Sequence, residues 1–154
     1  MRQAVAIRTG AAKFLPVFGE GVHITMPLAL ARGGVSIIED VSPPGGGPPL
    51  HLHQREDELF RVLEGRYLIR CGDETHDVVA GDTILLPRGV PHTFFNPEAT
   101  PGRLLTVLEP GGFEGFFEEV HAAGLEAPCD FPAIAELGAR YGLEFLGPNP
   151  FRGA

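Results

Sequence analysis

The chain has 154 residues and a formal net charge of −8 at pH 7, with 12 lysine and arginine residues against 20 aspartate and glutamate residues. This length suits one domain, so we expect a single domain over residues 1–154. The acidic balance argues against a nucleic acid partner, and no apolar run reaches the ~18 residues that a membrane span needs. Because the first residues lack a continuous apolar segment, we expect a cytoplasmic protein.

Short apolar runs separated by frequent turns dominate the first two thirds of the chain. Its 21 glycines and 15 prolines are spread throughout and mark these turns. Many short strands between such turns are typical of a β-sandwich or barrel. The predicted strands cover residues 4–7, 22–26, 35–41, 50–53, 58–63, 66–71, 75–79, 83–86, 92–96 and 103–109.

The pattern changes to helical after Pro110. Apolar residues recur at helical spacing from Phe113 to Gly124, which predicts an amphipathic helix. A second helix is predicted to begin near Asp130 and to end at Gly142. The glutamates of the first helix are predicted on its exposed face: Glu114, Glu118 and Glu119.

Two spaced motifs lie within the predicted strands. The first has the form G-x5-H-x-H-x4-E-x6-G, and the second has the form G-x5-P-x-G-x2-H-x3-N. Their specified positions are Gly45, His51, His53, Glu58, Gly65, Gly81, Pro87, Gly89, His92 and Asn96.

Four of these residues predict a metal site. His51 and His53 are two residues apart, so on a strand they project from the same face. Glu58 opens the next predicted strand, and His92 arrives from the second motif. Three imidazoles and one carboxylate suit one divalent transition metal ion, namely Fe, Mn, Co, Ni or Zn. If the register of the loop differs, Glu56 would take the place of Glu58.

The remaining motif residues have predicted structural roles. Gly65 and Gly81 fit tight turns that need a positive φ angle. Gly89 allows a sharp bend before His92, and Asn96 is expected to hold a turn through side-chain hydrogen bonds to the backbone.

Strand parity extends the prediction to the pocket around the metal. If Glu58 points inward, residues of the same parity on its strand do so too, and the same holds for His92. A mostly apolar lining would suit a small, flat substrate that offers one or two oxygens to the ion. Each candidate could instead be barrel core, and His23 is a further, weaker candidate for the barrel mouth. The candidate pocket residues are Phe60, Val62, Tyr67, Phe94, Leu105 and Val107.

The paired motifs resemble those of the cupin superfamily. The stretches PPLHLHQREDELFRVLEG and LLPRGVPHTFFN are similar to single-domain bacterial cupins that resemble quercetin 2,3-dioxygenase. The resemblance implies an all-β jelly-roll barrel, also called a double-stranded β-helix, with C-terminal α-helices packed outside. The metal-binding core would cover about residues 35–110 and the helical segment about 111–146. It also implies a homodimer, for which the apolar strands 4–7 and 22–26 are candidates.

The resemblance implies a metal-dependent dioxygenase acting on an enol or phenol substrate chelated to the metal. Glu58 would then be both a ligand and the base that accepts the hydroxyl proton. Two alternatives stay open at this point. One is a non-catalytic module that binds a metal or a small molecule, and the other is a metal-dependent isomerase or lyase that does not use O2.

Overall fold

The computed structural model describes residues 3–8 and 10–153 of the chain. The strands are β1 (Lys13–Val17), β2 (Glu20–Met26), β3 (Ser36–Ser42), β4 (Leu50–His53), β5 (Asp57–Glu64), β6 (Arg66–Cys71), β7 (Glu74–Val79), β8 (Thr83–Leu86), β9 (His92–Phe95), β10 (Gly102–Glu109) and β11 (Leu143–Gly147). The helices are α1 (Leu28–Ala31), α2 (Glu114–Ala122) and α3 (Phe131–Arg140).

The strands form two antiparallel sheets. One has six strands in the order β1-β2-β3-β10-β5-β8, and the other has five in the order β11-β4-β9-β6-β7. Buried and less buried residues alternate along β3 and β10, so one face of the first sheet forms the interior of the barrel. The predicted all-β barrel with C-terminal helices is confirmed.

Two apolar clusters fill the molecule. One lies inside the barrel and includes Tyr67, Ile69 and Leu104. The other includes Phe116 and Ile134 from the two C-terminal helices, which pack against β1 and β11. This cluster also contains Ile38 and Leu108, so helices α2 and α3 pack against residues on the buried faces of β3 and β10. None of the described helices has the length and apolar character needed to cross a membrane.

The N-terminal strand was predicted in the wrong place. Residues 4–7 form no strand and are largely exposed, whereas Lys13–Val17 form β1 and pair with β2. A strand is stable only when its backbone groups find a partner, and residues 4–7 have none in the described part of the chain. The homodimer for which residues 4–7 and 22–26 were candidates stays a prediction.

Glu114 was predicted to be exposed but is buried in the first turn of α2. Its carboxylate accepts hydrogen bonds from the Leu28 N–H at 2.6 Å and the Gly112 N–H at 2.9 Å. The Ser36 hydroxyl donates a further bond to it. These donors, together with the positive end of the helix, offset the cost of burying the charge. Glu118 and Glu119 lie on the outer face as expected and pair with Lys13 and Arg140.

The motif turns adopt the predicted geometry. Gly65 and Gly81 have φ angles of +84° and +102°, which favour glycine over other residues. The Asn96 side-chain amide donates to the carbonyls of Ser42 at 3.1 Å and Thr100 at 2.9 Å. Asn96 thus fixes the turn that follows β9 to the end of β3.

Candidate metal centre

Three neighbouring strands bring the four predicted ligands together. His51 and His53 lie on β4, Glu58 on β5 and His92 at the start of β9, where it pairs with His51 in the sheet register. All four side chains are buried. One ligand atom from each lies within 4.8 Å of those of the others.

Backbone carbonyls orient two of the imidazoles. Nδ1 of His51 lies 2.8 Å from the carbonyl oxygen of Pro49, and Nδ1 of His92 lies 2.8 Å from that of Val90. In each case the carbonyl belongs to the residue two positions earlier in the chain. A neutral ring that donates its Nδ1–H to a carbonyl presents the Nε2 lone pair, which is the arrangement that a metal ligand needs.

Glu56 orients the third imidazole. Its Oε2 lies 3.3 Å from Nδ1 of His53, and its side chain is buried. The structure therefore places Glu56 behind His53, whereas Glu58 lies with the three histidines. A carboxylate in this position fixes the orientation of the ring.

The charges of the cluster are set by burial and by mutual contact. Burial, reinforced by His92 and His53, lowers the pKa of His51 to about 3. Burial alone would raise the pKa of Glu58, but the neighbouring imidazoles of His53 and His92 hold it at about 2. Burial also opposes the charged form of His92, yet the hydrogen bond to Glu58 raises its pKa. A neutral His51 beside an ionised Glu58 is ready to bind a cation.

The donor set fits a divalent transition metal ion. Three nitrogens and one carboxylate oxygen suit Fe, Mn, Co, Ni or Zn, and do not discriminate among them. Oxygen-only cations such as Ca²⁺ and Mg²⁺ prefer carboxylates and carbonyls, of which the cluster offers one.

A cavity of about 160 Å³ opens beside the cluster. His51, His53 and Glu58 form part of its wall, and most of the remainder is aromatic or aliphatic. The aromatic residues that line it include Phe60, Phe94, Phe113, Phe116, Phe131 and Phe145.

The structure places the predicted pocket residues in different surroundings. Phe60 and Phe94 line the cavity, whereas Val62 and Tyr67 are buried in the apolar cluster inside the barrel. The inward orientation of Leu105 and Val107 is wrong, because Leu104, Thr106 and Leu108 occupy the buried face of β10. Each parity of this strand contains two apolar residues, so apolar content alone does not distinguish them. His23 is not part of the cavity lining, and its ring packs against that of Phe14 at a tilt, with 4.8 Å between ring centroids.

Sequence reasoning missed three polar residues of the cavity: Glu20, Asp40 and Thr106. No clear sequence signal marked Asp40, because the adjacent Glu39 is also acidic and both faces of β3 carry apolar residues. Glu20 and Thr106 carried no signal either, because the bounds of β2 and the parity of β10 were not predicted.

Comparison with known proteins shows similarity to one domain family over part of the chain. Residues 40–108 match the family model described as the cupin domain. A segment of 75 residues is 35% identical to the uncharacterized protein MJ1618 of Methanocaldococcus jannaschii, covering 49% of this chain and 60% of that protein. A longer segment of 129 residues is 28% identical to oxalate oxidase GF-3.8 of Triticum aestivum, covering 78% of this chain and 58% of the oxidase.

A solved structure supports the same fold. The polyketide cyclase RemF from Streptomyces resistomycificus is 28% identical with a TM-score of 0.59, over 71% of this chain and 80% of the cyclase. The chain spans about three fifths of the length of the two curated relatives, at 60% and 58%. The matched region holds all four residues of the candidate metal centre.

Proposed function

We propose that this chain, which carries a cupin domain, is a metal-dependent enzyme for a small substrate with an enol or phenol oxygen. The observation that carries the proposal is the cluster of three histidines and Glu58, of which His51, His53 and Glu58 lie at the wall of a cavity of about 160 Å³. A metal site at the wall of a cavity leaves room for a substrate, as catalytic sites do and closed structural sites do not. Reaction with O2, as in a dioxygenase, is the chemistry that we favour.

The residues at the metal centre and in the cavity have different proposed roles. His51, His53, Glu58 and His92 would hold the ion. When bound, a divalent ion supplies Lewis-acid activation of a substrate oxygen and a template for a second reactant. Phe60 and Phe94 face the cavity and would hold a flat ring and exclude water.

The volume of the cavity favours a small substrate. A cavity of 150 Å³ is large enough for benzene, so about 160 Å³ favours a single ring over the three rings of a flavonol. We therefore propose catechols or small enols as the substrate class, and not quercetin itself.

Glu58 serves best as a ligand and poorly as a base. Its pKa of about 2 lies far below neutral pH, whereas an effective proton acceptor has a pKa near the working pH. We therefore propose Glu58 as a metal ligand and not as the predicted acceptor of the hydroxyl proton.

A redox-neutral reaction is the second candidate, and two observations favour it. The similarity to a polyketide cyclase covers 80% of that protein at 28% identity. The cavity also contains Asp40 and Glu20, two acids beyond the metal cluster that suit proton transfer. An isomerase, lyase or cyclase would use the same ion without consuming O2.

Turnover of metal-loaded protein tests the proposal. Samples loaded separately with Fe(II), Mn(II), Co(II), Ni(II) and Zn(II) would be incubated with catechols and small 1,3-diketones, while substrate loss and O2 uptake are followed. Substrate loss with O2 uptake supports the dioxygenase, and substrate loss without O2 uptake supports the redox-neutral enzyme. No loss with any ion contradicts both and leaves a binding module. His92→Ala should be inactive, and the matched control His76→Ala, on β7, should be as active as the wild type.

A further inference from the structure

A row of polar side chains crosses the interior face of the six-stranded sheet and ends at the metal centre. Glu20 on β2, Asp40 on β3 and Thr106 on β10 all lie on buried positions of adjacent strands. The next strand, β5, carries Glu58. We call these four residues the polar row.

Two carboxyl groups of the polar row are buried with few partners. The exposed fraction is 8% for Glu20 and 7% for Asp40. Asp40 Oδ2 accepts a hydrogen bond of 3.0 Å from the Thr106 hydroxyl, and Glu20 Oε1 accepts one of 2.8 Å from the Gly47 N–H. Glu20 Oε2 is fully buried and makes no hydrogen bond within the described residues.

The stability of the fold does not explain why Glu20 and Asp40 are buried. Burying a carboxyl group without full hydrogen bonding costs several kcal/mol, and interior positions of β-barrels are usually apolar. Both Glu20 and Asp40 line the cavity that also contains His51, His53 and Glu58. Groups that are costly to bury and that face a cavity beside a metal site are candidates for function.

We propose that Asp40 is the proton donor of this site, hydrogen-bonding to the end of the substrate that lies away from the metal ligands and transferring its proton there. The inference rests on the proposed function, because it requires a substrate in the cavity. Strands β3 and β5 flank β10, and the register places Asp40 beside Leu104 and Glu58 beside Leu108. Their backbones are therefore about 16 Å apart, since they are separated by ~10 Å across the strands and by ~13 Å along them. Both residues line the same cavity, and a ring that carries a group opposite its chelating oxygens would span the space between their side chains.

The electrostatics of the cavity keep Asp40 protonated at neutral pH. Burial raises the pKa of Asp40 to about 8, and the carboxylates of Glu20, Glu58 and Glu39 act in the same direction. Only the hydrogen bond from Thr106 acts against them. The other charged or titratable groups of the cavity are the two histidines of β4 and Arg152 at its mouth.

The proton balance of the step is simple. The O–H bond of Asp40 breaks as a new O–H or C–H bond forms on the substrate atom that has gained electron density. Asp40 is left as a carboxylate that accepts the Thr106 hydrogen bond, and it recovers a proton from water when the product leaves. Glu58, with a pKa of about 2, has no proton to give at neutral pH.

Infrared difference spectroscopy on the metal-free protein tests the protonation directly. The wild type should show a protonated carboxyl band at pH 7 that disappears with a midpoint near pH 8, and this band should be absent in Asp40→Asn. The matched control Asp73→Asn, in an exposed turn, should keep the band. If no band at pH 7 depends on Asp40, the inference is wrong.

Binding of two related rings tests the substrate contact. Catechol and 3,4-dihydroxybenzaldehyde share the chelating oxygens, but only the aldehyde carries an acceptor at the opposite end. A hydrogen bond from Asp40 should favour the aldehyde about 10-fold. Asp40→Asn, which keeps a donor, should retain this preference, and Asp40→Val, which has none, should lose it.

These experiments distinguish failure of the Asp40 contact from failure of the proposed function. An unchanged preference in Asp40→Val, at wild-type metal content, contradicts the contact between Asp40 and the substrate. If neither ring binds the metal-loaded wild type, both the proposed function and the contact between Asp40 and the substrate are contradicted. The infrared band then tests only whether Asp40 holds a proton.

Discussion

Nε2 of His92 lies 2.8 Å from Oε2 of Glu58, although 34 residues separate them in the chain. The two sequence motifs therefore meet at this contact, and β9 and β5, which belong to different sheets, are joined through it. An ion that binds the cluster would take the place of this hydrogen bond. The contact identifies Glu58 and His92 as the pair that links the two halves of the site.

Replacing Glu58 should abolish tight metal binding. Glu58→Gln keeps the size of the side chain but removes the negative charge that the three histidines surround. We expect the affinity for Zn(II) to fall by at least about 100-fold, which is more than the loss typical of residues that only orient ligands. Competition with a chromophoric chelator measures the affinity. Glu64→Gln, an exposed change on the same strand, should bind as the wild type does, and equal affinity in both variants would contradict the ligand role.

Replacing Glu56 should weaken metal binding without abolishing it. Glu56→Gln removes the charge that accepts the Nδ1–H of His53, and such partners typically contribute 10- to 100-fold in metal affinity. The same chelator competition checks the value. An affinity equal to that of Glu58→Gln would mean that Glu56 is itself a ligand, and wild-type affinity would mean that its contact with His53 is incidental.

Gly47→Ala should destabilise the loop that closes over Glu20. A Cβ atom at Gly47, whose φ angle is +142°, would lie 2.1 Å from the carbonyl oxygen of Phe94. Gly45 also has a positive φ angle, +70°, but a Cβ atom there meets open space. Gly45→Ala should therefore lower the free energy of unfolding by about 1 kcal/mol, and Gly47→Ala by well over that amount. Urea denaturation compares them, and equal losses would contradict the close packing of this loop.

The stability of the protein should depend on pH through Asp40. Its pKa is about 8 in the folded protein against an ordinary value of 3.8, so the folded state binds one more proton than the unfolded state between these values. The contribution of Asp40 to stability is present at low pH and is lost as pH rises from about 4 to 8. The difference in unfolding free energy between wild type and Asp40→Asn should fall by about 1.4 kcal/mol per pH unit from pH 5 to pH 7. A difference that does not change with pH, measured by urea denaturation, would show that Asp40 ionises normally.

The candidate metal centre could be predicted because its residues lie in two local patterns. The H-x-H spacing fixes a shared strand face, and the turns at Gly65 and Gly81 fix the strand ends. The second motif places His92 at the start of β9 in the same way. Local rules of strand parity and turn geometry are therefore sufficient to predict the four clustered residues and the all-β architecture.

Features set by tertiary contacts could not be predicted from the sequence. Either Leu105 or Thr106 could face inward from β10, depending on which parity of the strand is buried. The pairing of β10 with β3 and β5 determines that Thr106 faces the cavity. The orienting partners of His51 and His92 are backbone carbonyls, which carry no sequence signal. Strand β11 appears only because β4 offers a free edge beside the second C-terminal helix.

Metal content tests the central claim most directly. Protein prepared without a histidine tag would be incubated with each divalent ion, desalted and analysed for its elements, beside the double variant His51→Ala/His92→Ala. The account predicts close to one ion per chain in the wild type and none in the variant, with unchanged circular dichroism. A wild type that retains no ion, or a variant that retains as much as the wild type, would contradict the metal centre and the function proposed from it.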